Sequence, residues 1–216
     1  MPASRLEPRL TLPLSATFAG CSGCGKTQLA AYILRHQREL LREEWTRIVW
    51  LARYAQPSLE AALRGLPVRF LLVDGALPDL DKLPRSARTL IVLDDLMTQA
   101  AGSEQISRLF TAGRHLNLSV FFMTQNLFQP GQYSRTIRLN TNFLFLFRSL
   151  HDTHQVAHYF RQMSREWRSI LSAHRDATRA NPYGYLMLDF CPRTHDLLRF
   201  RTEFRRDRHL LYQIEQ

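Results

Sequence analysis

The stretch Leu14-Ser15-Ala16-Thr17-Phe18-Ala19-Gly20-Cys21-Ser22-Gly23-Cys24-Gly25-Lys26-Thr27 decides how this chain is read. It opens on an apolar run of strand length and then turns on three glycines. Gly20, Gly25, Lys26 and Thr27 satisfy the pattern G-x-x-x-x-G-K-[ST] at every fixed position. The spacing predicts a helix over 26–44, where Leu29, Ile33, Leu34, Leu40 and Leu41 recur near helical periodicity. Strand, glycine-rich turn and helix are the context in which this pattern holds phosphate. Glycine permits positive φ and lets backbone N–H groups come close to an anion. The helix aims its positive end at the same place. On this reading Gly20, Cys21, Ser22, Gly23, Cys24, Gly25, Lys26, Thr27 and Gln28 bind ATP. Lys26 supplies charge to the β- and γ-phosphates, and the Thr27 hydroxyl ligates Mg²⁺.

Cys21 and Cys24 also form a C-x-x-C, which suggests a redox pair or metal ligands. Both occupy variable loop positions, and no second pair exists to complete a zinc site. Small residues tolerated in a tight loop is the plainer alternative.

Further along, Leu90-Ile91-Val92-Leu93 reads as a buried strand that delivers Asp94 and Asp95 to the edge of a sheet. Ligands of open α/β sheets bind at that edge. Asp94 is placed to hold Mg²⁺, directly or through water, as a Walker-B aspartate, and Asp95 to orient or deprotonate an attacking water. The alternative for Asp95 is helix capping. Leu118–Thr124 is another buried strand, ending in Gln125. If it lies between the strands of Lys26 and Asp94, Gln125 stands beside the γ-phosphate, as a phosphate sensor or water-positioning group. That order marks the additional-strand class of P-loop ATPases; turn chemistry at Gln125-Asn126 is the alternative. Arg114 precedes this strand and could reach a neighbouring subunit's nucleotide as an arginine finger. Arg138 and Arg148 are its rivals, and a solvated surface arginine is the plain alternative.

Strands are also predicted over 47–52, 68–73 and 143–147, and helices over 59–63, 103–115 and much of 151–177. The segments 184–190 and 197–204 alternate like a hairpin. Short apolar runs alternating with amphipathic stretches predict an α/β fold with a mainly parallel sheet. The expected organisation is an N-terminal arm over 1–13, one ATPase domain over 14–205 and a C-terminal tail over 206–216.

The chain has 216 residues, of which 45% are hydrophobic, enough for one domain with a real core. No apolar run approaches the roughly 20 residues of a membrane helix, and residues 1–9 lack the apolar region of a signal peptide. Three cysteines do not make a disulfide framework. A soluble, intracellular protein with no membrane association is expected. Net charge is +10, from 29 Lys+Arg against 19 Asp+Glu, and lysine occurs only at Lys26 and Lys82. An arginine excess of this size favours a polyanionic partner, nucleic acid ahead of a merely solubilising surface.

Taken together, the loop, Asp94-Asp95 and the Gln125 strand resemble the FtsK–HerA superfamily. The closer resemblance is to viral genome-packaging ATPases of poxvirus-like and adintovirus- or polinton-like elements. It is carried by Phe110–Ser119, Met123–Phe128, Arg135–Asn140, Asn181–Asp189 and Asp196–Arg201, and it spans roughly 14–204. The resemblance implies a P-loop NTPase three-layer sandwich of the RecA/FtsK-like class with a C-terminal β-hairpin extension. It implies a homo-oligomeric ring, a pentamer or hexamer, that moves double-stranded DNA without sequence preference into a capsid through its portal vertex. The place of action would be the nucleus or a cytoplasmic virus factory, and the virion vertex. By position Lys26 and Thr27 take the phosphate and Mg²⁺ roles, Asp94 and Asp95 the Walker-B roles, Gln125 the sensor role and Arg114 the finger. Aspartate at 95 departs from the usual glutamate. A P-loop kinase acting on a nucleoside or small molecule explains the loop but not the Gln125 strand. A non-catalytic, nucleotide-gated DNA-binding protein is favoured if Asp95 cannot act as a base.

Overall fold

Five of the strands carry uninterrupted apolar runs of four or five residues, which is the signature of strands covered on both faces. The computed structural model describes residues 8–73, 84–96, 102–128, 131–149, 153–179, 181–204 and 209–214. In it β1 (Ser15–Ala19), β2 (Arg47–Ala52), β3 (Val68–Leu72), β4 (Thr89–Asp94), β5 (Leu118–Thr124) and β6 (Phe143–Phe147) run parallel. β7 (Tyr185–Asp189), β8 (Phe200–Thr202) and β9 (Leu210–Leu211) extend the sheet antiparallel beyond β6. The order across the sheet is β3-β2-β4-β5-β1-β6-β7-β8-β9. β5 therefore lies between β4 and β1, and the C-terminal strands form the expected extension.

Helices cover both faces. On one face α1 (Lys26–Arg35), α2 (Gln37–Leu40) and α3 (Pro57–Ala62) pack Ile33, Leu34, Leu40 and Leu59 against Phe18, Trp50, Phe121 and Phe145. On the other, α4 (Glu104–Ala112) packs Ile106, Leu109 and Phe110 on Ile91, Val120 and Phe122. The short α5 (Ser134–Leu139) joins that cluster through Ile137. Beside it, α6 (Thr153–Met163) and α7 (Trp167–Arg179) cover Leu144, Leu146, Leu186 and Leu188. Period-two alternation sends neighbours on one strand to opposite layers: Phe143, Phe145 and Phe147 face α1, while Leu144 and Leu146 face α6 and α7. Among the described residues no helix is long and apolar enough to cross a membrane.

The expected helix over 26–44 is broken. α1 ends at Arg35 with His36 as its C-cap, the single turn of α2 follows, and Leu41 becomes extended at φ −118°, ψ 155°. Leu41 leaves the helix to bridge Leu10 in parallel, with Leu10 N–H donating to Leu40 O and Arg42 N–H to Leu10 O, each at 2.9 Å. The pairing buries Leu10, Leu40 and Leu41 together, which a continuous helix could not do. The helix expected over 103–115 also ends early, its last turn tightening to a 3₁₀ turn over Gly113–Leu116. Ser103 caps α4, its Oγ accepting from Ile106 N–H.

Arg201 and Asp189 form an ion pair at 2.8 Å with side chains only 1% and 3% exposed. Arg201 also donates to Pro8 O at 2.8 Å, so β7, β8 and the start of the described chain are tied at one point. Burial pushes the Asp189 carboxyl upward against the attraction of Arg201.

Candidate functional site

β1 ends at Ala19, and the chain turns through the glycine-rich loop straight into α1. Gly25 is the N-cap of α1 at φ 102°, a left-handed backbone that glycine adopts without strain. No side chain caps the helix, and its first turn holds no acidic residue. Its first-turn N–H groups are thus left for an anion. Lys26 Nζ curls back over the loop and donates to Gly20 O at 2.7 Å and Cys21 O at 2.8 Å. Gly20 N–H donates to Thr124 O at 3.1 Å, which locks the loop to the end of β5.

The loop faces a solvent-open cleft whose empty space, counted out into open solvent, is about 1240 Å³. Ser22, Gly23, Gly25, Lys26, Thr27 and Gln28 form its floor, and Asp95, Met123, Gln125 and Tyr183 its walls. Thr27 Oγ1 points to Met123 Sδ at 3.7 Å, a weak acceptor that leaves the hydroxyl able to ligate a cation. Cys24 is buried beneath the loop, and burial pushes its thiol up, away from the thiolate that redox or metal chemistry needs. Cys21 is exposed, with Sγ 3.9 Å from Arg148 O. Among the described residues no group of three His, Cys, Asp or Glu is placed to hold a metal.

Because β4 and β5 are neighbours, their C-terminal ends bring Asp94, Asp95 and Gln125 to this edge. Asp94 is buried, and its Oδ2 accepts from Gln56 Nε2 at 2.9 Å and Trp50 Nε1 at 3.3 Å. Burial raises its carboxyl above the usual range, and the two hydrogen bonds pull it partly back. Its Oδ1 accepts no hydrogen bond among the described residues. Asp95 follows at φ 56°, a left-handed turn that aspartate tolerates, and this swings its exposed side chain into the cleft. There Gln125 Nε2 donates to Asp95 Oδ1 at 3.2 Å.

Arg114 lies elsewhere. It is exposed on the 3₁₀ turn that precedes β5, at the opposite end of that strand from Gln125. At about 3.3 Å per residue the strand separates the two by roughly 20 Å, so Arg114 is not part of its own chain's cleft. Arg148 follows β6 at the same edge of the sheet but lines a separate pocket with His174 and Arg175, and Arg138 stacks over the Phe128 ring at 5.0 Å.

Three residues at the site escape the sequence reading. Trp50 and Gln56 hold Asp94, and Tyr183 walls the cleft. Gln56 lies just past the end of β2, on the edge where ligands of such sheets bind, and that position is the signal that could have found it. Tyr183 stands in an Asn-Pro-Tyr-Gly turn, which predicts a loop and nothing more.

No protein-family model matches the chain, and no curated protein matches it in sequence. Solved structures do. The genome packaging NTPase B204 from Sulfolobus turreted icosahedral virus 2, in complex with AMP, aligns with a TM-score of 0.54 at 13% identity. The alignment covers 85% of this chain and 94% of that one. The same protein in complex with ATP-gammaS gives 0.54 at 15% identity, over 82% of this chain and 92% of that one. At such identities the likeness is one of fold. The chain shares that fold, and in this chain β5 separates the loop strand β1 from the acidic strand β4.

Proposed function

We propose that the chain is an ATPase of the FtsK–HerA type, a subunit of a homo-oligomeric ring that drives double-stranded DNA into a preformed capsid. The observation that carries this reading is the Gln125–Asp95 pair at the mouth of the phosphate loop, presented by a strand between β4 and β1. A kinase acting on a small acceptor does not call for that strand. B204, which shares the fold, is a genome packaging NTPase.

The uncapped start of α1 and Lys26 hold the phosphates, the lysine moving from the Gly20 and Cys21 carbonyls to the anion. Asp95 takes the proton of the attacking water, and Gln125 fixes the carboxylate and the water together. The donor set fits Mg²⁺: one hydroxyl, Thr27, and one carboxylate, Asp94, are hard oxygen donors, few enough that phosphates and waters complete the shell. When bound, Mg²⁺ supplies neutralisation of charge on the phosphate oxygens. Gln56 and Trp50 orient Asp94 for that task. The net charge of +10 supports a polyanionic track read through its phosphates rather than its sequence.

The test is ATP hydrolysis with and without long double-stranded DNA, on protein inspected for rings by electron microscopy. Stimulation by DNA is expected. Turnover that requires a small acceptor would assign a kinase instead. Binding without turnover would assign a nucleotide-gated DNA-binding protein.

A further inference from the structure

Tyr183 is 60% exposed, yet it is not a stray surface aromatic. It stands in the wall of the cleft, where the rest of the lining is mostly polar. One side of its ring packs on the loop: a Cβ placed on Gly25 would lie 3.2 Å from Tyr183 Cδ1 and 3.4 Å from its Cβ. Among the described residues its hydroxyl makes no hydrogen bond, so the side chain adds no polar tie to the fold.

Its backbone, in contrast, is pinned. Asn181 Oδ1 accepts from Tyr183 N–H at 2.9 Å, and Asn181 O accepts from Gly184 N–H at 2.9 Å. Gly184 passes so close to the end of α7 that a Cβ there would meet Ala177 O at 2.5 Å. Only glycine lets the chain through, and the turn is thereby fixed to the helix. The backbone that carries the ring is held in place beside the loop, which lowers the ordering cost of binding.

The cleft also has a direction. Asp95 and Gln125 stand on the β4–β5 side of β1, whereas Tyr183 precedes β7, which lies on the other side beyond β6. The loop lies between them. A nucleoside triphosphate whose reacting end faces Asp95 and Gln125 must carry its base toward Tyr183. We infer that Tyr183 is the stacking platform for the base of the bound nucleotide, an inference that rests on the ATPase reading above. A tyrosine face accepts any base, so Tyr183 contributes affinity and does not choose between adenine and guanine.

The test uses the full chain with Mg²⁺ and compares ATP with inorganic tripolyphosphate, which has the phosphates and no base. Binding is measured calorimetrically for the unaltered protein, Tyr183→Ala, Tyr183→Phe and Lys26→Ala, with thermal melts as a check on folding. Loss of one stacked base weakens binding by about 5- to 150-fold. Tyr183→Ala should lose that much affinity for ATP and for GTP alike while holding tripolyphosphate within about twofold. Tyr183→Phe should keep both, and Lys26→Ala should lose both. If Tyr183→Ala binds ATP normally, or weakens ATP and tripolyphosphate equally, the platform is refuted while the ATPase reading stands. If the unaltered protein binds neither ligand, the ATPase reading falls and takes the platform with it.

Discussion

The side-chain amide of Gln125 donates to Asp95 Oδ1 across 3.2 Å, joining the end of β5 to the residue that follows β4. The bond uses one carboxylate oxygen of a side chain that lines the cleft. On the mechanism proposed above, the two residues have separable roles, one as base and one as the group that aims it. Asp95→Asn should bind ATP normally and lose turnover by roughly 10²-fold or more, the usual worth of a general base. Gln125→Ala removes one hydrogen bond, so kcat should fall by about tenfold with KM little changed. Steady-state kinetics decide. Full turnover in Asp95→Asn would move the base elsewhere.

Lys26 spends its charge on two loop carbonyls, Gly20 O and Cys21 O. Those contacts are replaceable by phosphate oxygens, which make stronger charge-assisted bonds. Lys26→Ala should therefore weaken ATP by roughly 100-fold in equilibrium binding and abolish turnover. Unimpaired hydrolysis in this variant is incompatible with the loop assignment.

Asp94 is pulled in two directions. Burial raises its carboxyl, and the hydrogen bonds from Gln56 and Trp50 lower it. A cation needs the ionised form, so activity should fail on the acid side as Asp94 takes up a proton. Gln56→Leu removes the stronger lowering contact, and the carboxyl rises further. The acid limb of kcat/KM should then move to higher pH, with the alkaline limb in place. An unmoved limb would show that Gln56 does not act through Asp94.

How much of this was legible beforehand follows from how local each feature is. The phosphate loop is one contiguous stretch, and its glycines, Lys26 and Thr27 fold into a site with little outside help. β5 and β6 have the bounds expected of them because runs such as Phe143–Phe147 are apolar at every position and fit only a strand covered on both faces. The Gln125–Asp95 pairing was legible only as a conditional, since strand order depends on contacts far apart in sequence. The overlong first helix shows the same limit. Leu40 and Leu41 keep the helical period, but Leu10, some thirty positions earlier, captures Leu41 in a bridge. Gln56 and Tyr183 lie in connections with no period at all, and only the folded sheet edge brings them to the cleft.

His174 on α7 is buried, and its Nε2 lies 3.3 Å from Phe147 O at the end of β6. Burial pulls its pKa from 6.5 down to about 4. The folded chain keeps it neutral, whereas the unfolded chain protonates it below about 6.5. Its contribution is whole above that pH and is lost as pH falls toward 4. At 1.36 kcal/mol per unit the loss is about 3 kcal/mol. Between pH 7 and pH 4 the unaltered protein should lose about 3 kcal/mol more than His174→Gln in denaturant unfolding. Asp94 and Asp189, both raised by burial, act in the opposite sense and cancel in that difference. Parallel losses in the two proteins would refute it.

Arg114 stands at the far end of β5 from the cleft, so any action on ATP must be on another subunit's nucleotide. In the ring proposed above the interface would be head to tail, with one subunit's Arg114 turn set against its neighbour's cleft. Arg114→Ala should then bind ATP normally and lose turnover by roughly 10³-fold, the low end for an arginine finger. Lys26→Ala subunits have no working cleft but keep Arg114; Arg114→Ala subunits are the reverse. Mixed in equal parts, about one interface in four pairs a sound cleft with a sound arginine. Activity absent from either variant alone should partly return on mixing. If it does not, and mixed rings form, Arg148 becomes the group to test, since it follows β6 at the same edge of the sheet as the loop, its carbonyl 3.9 Å from Cys21 Sγ.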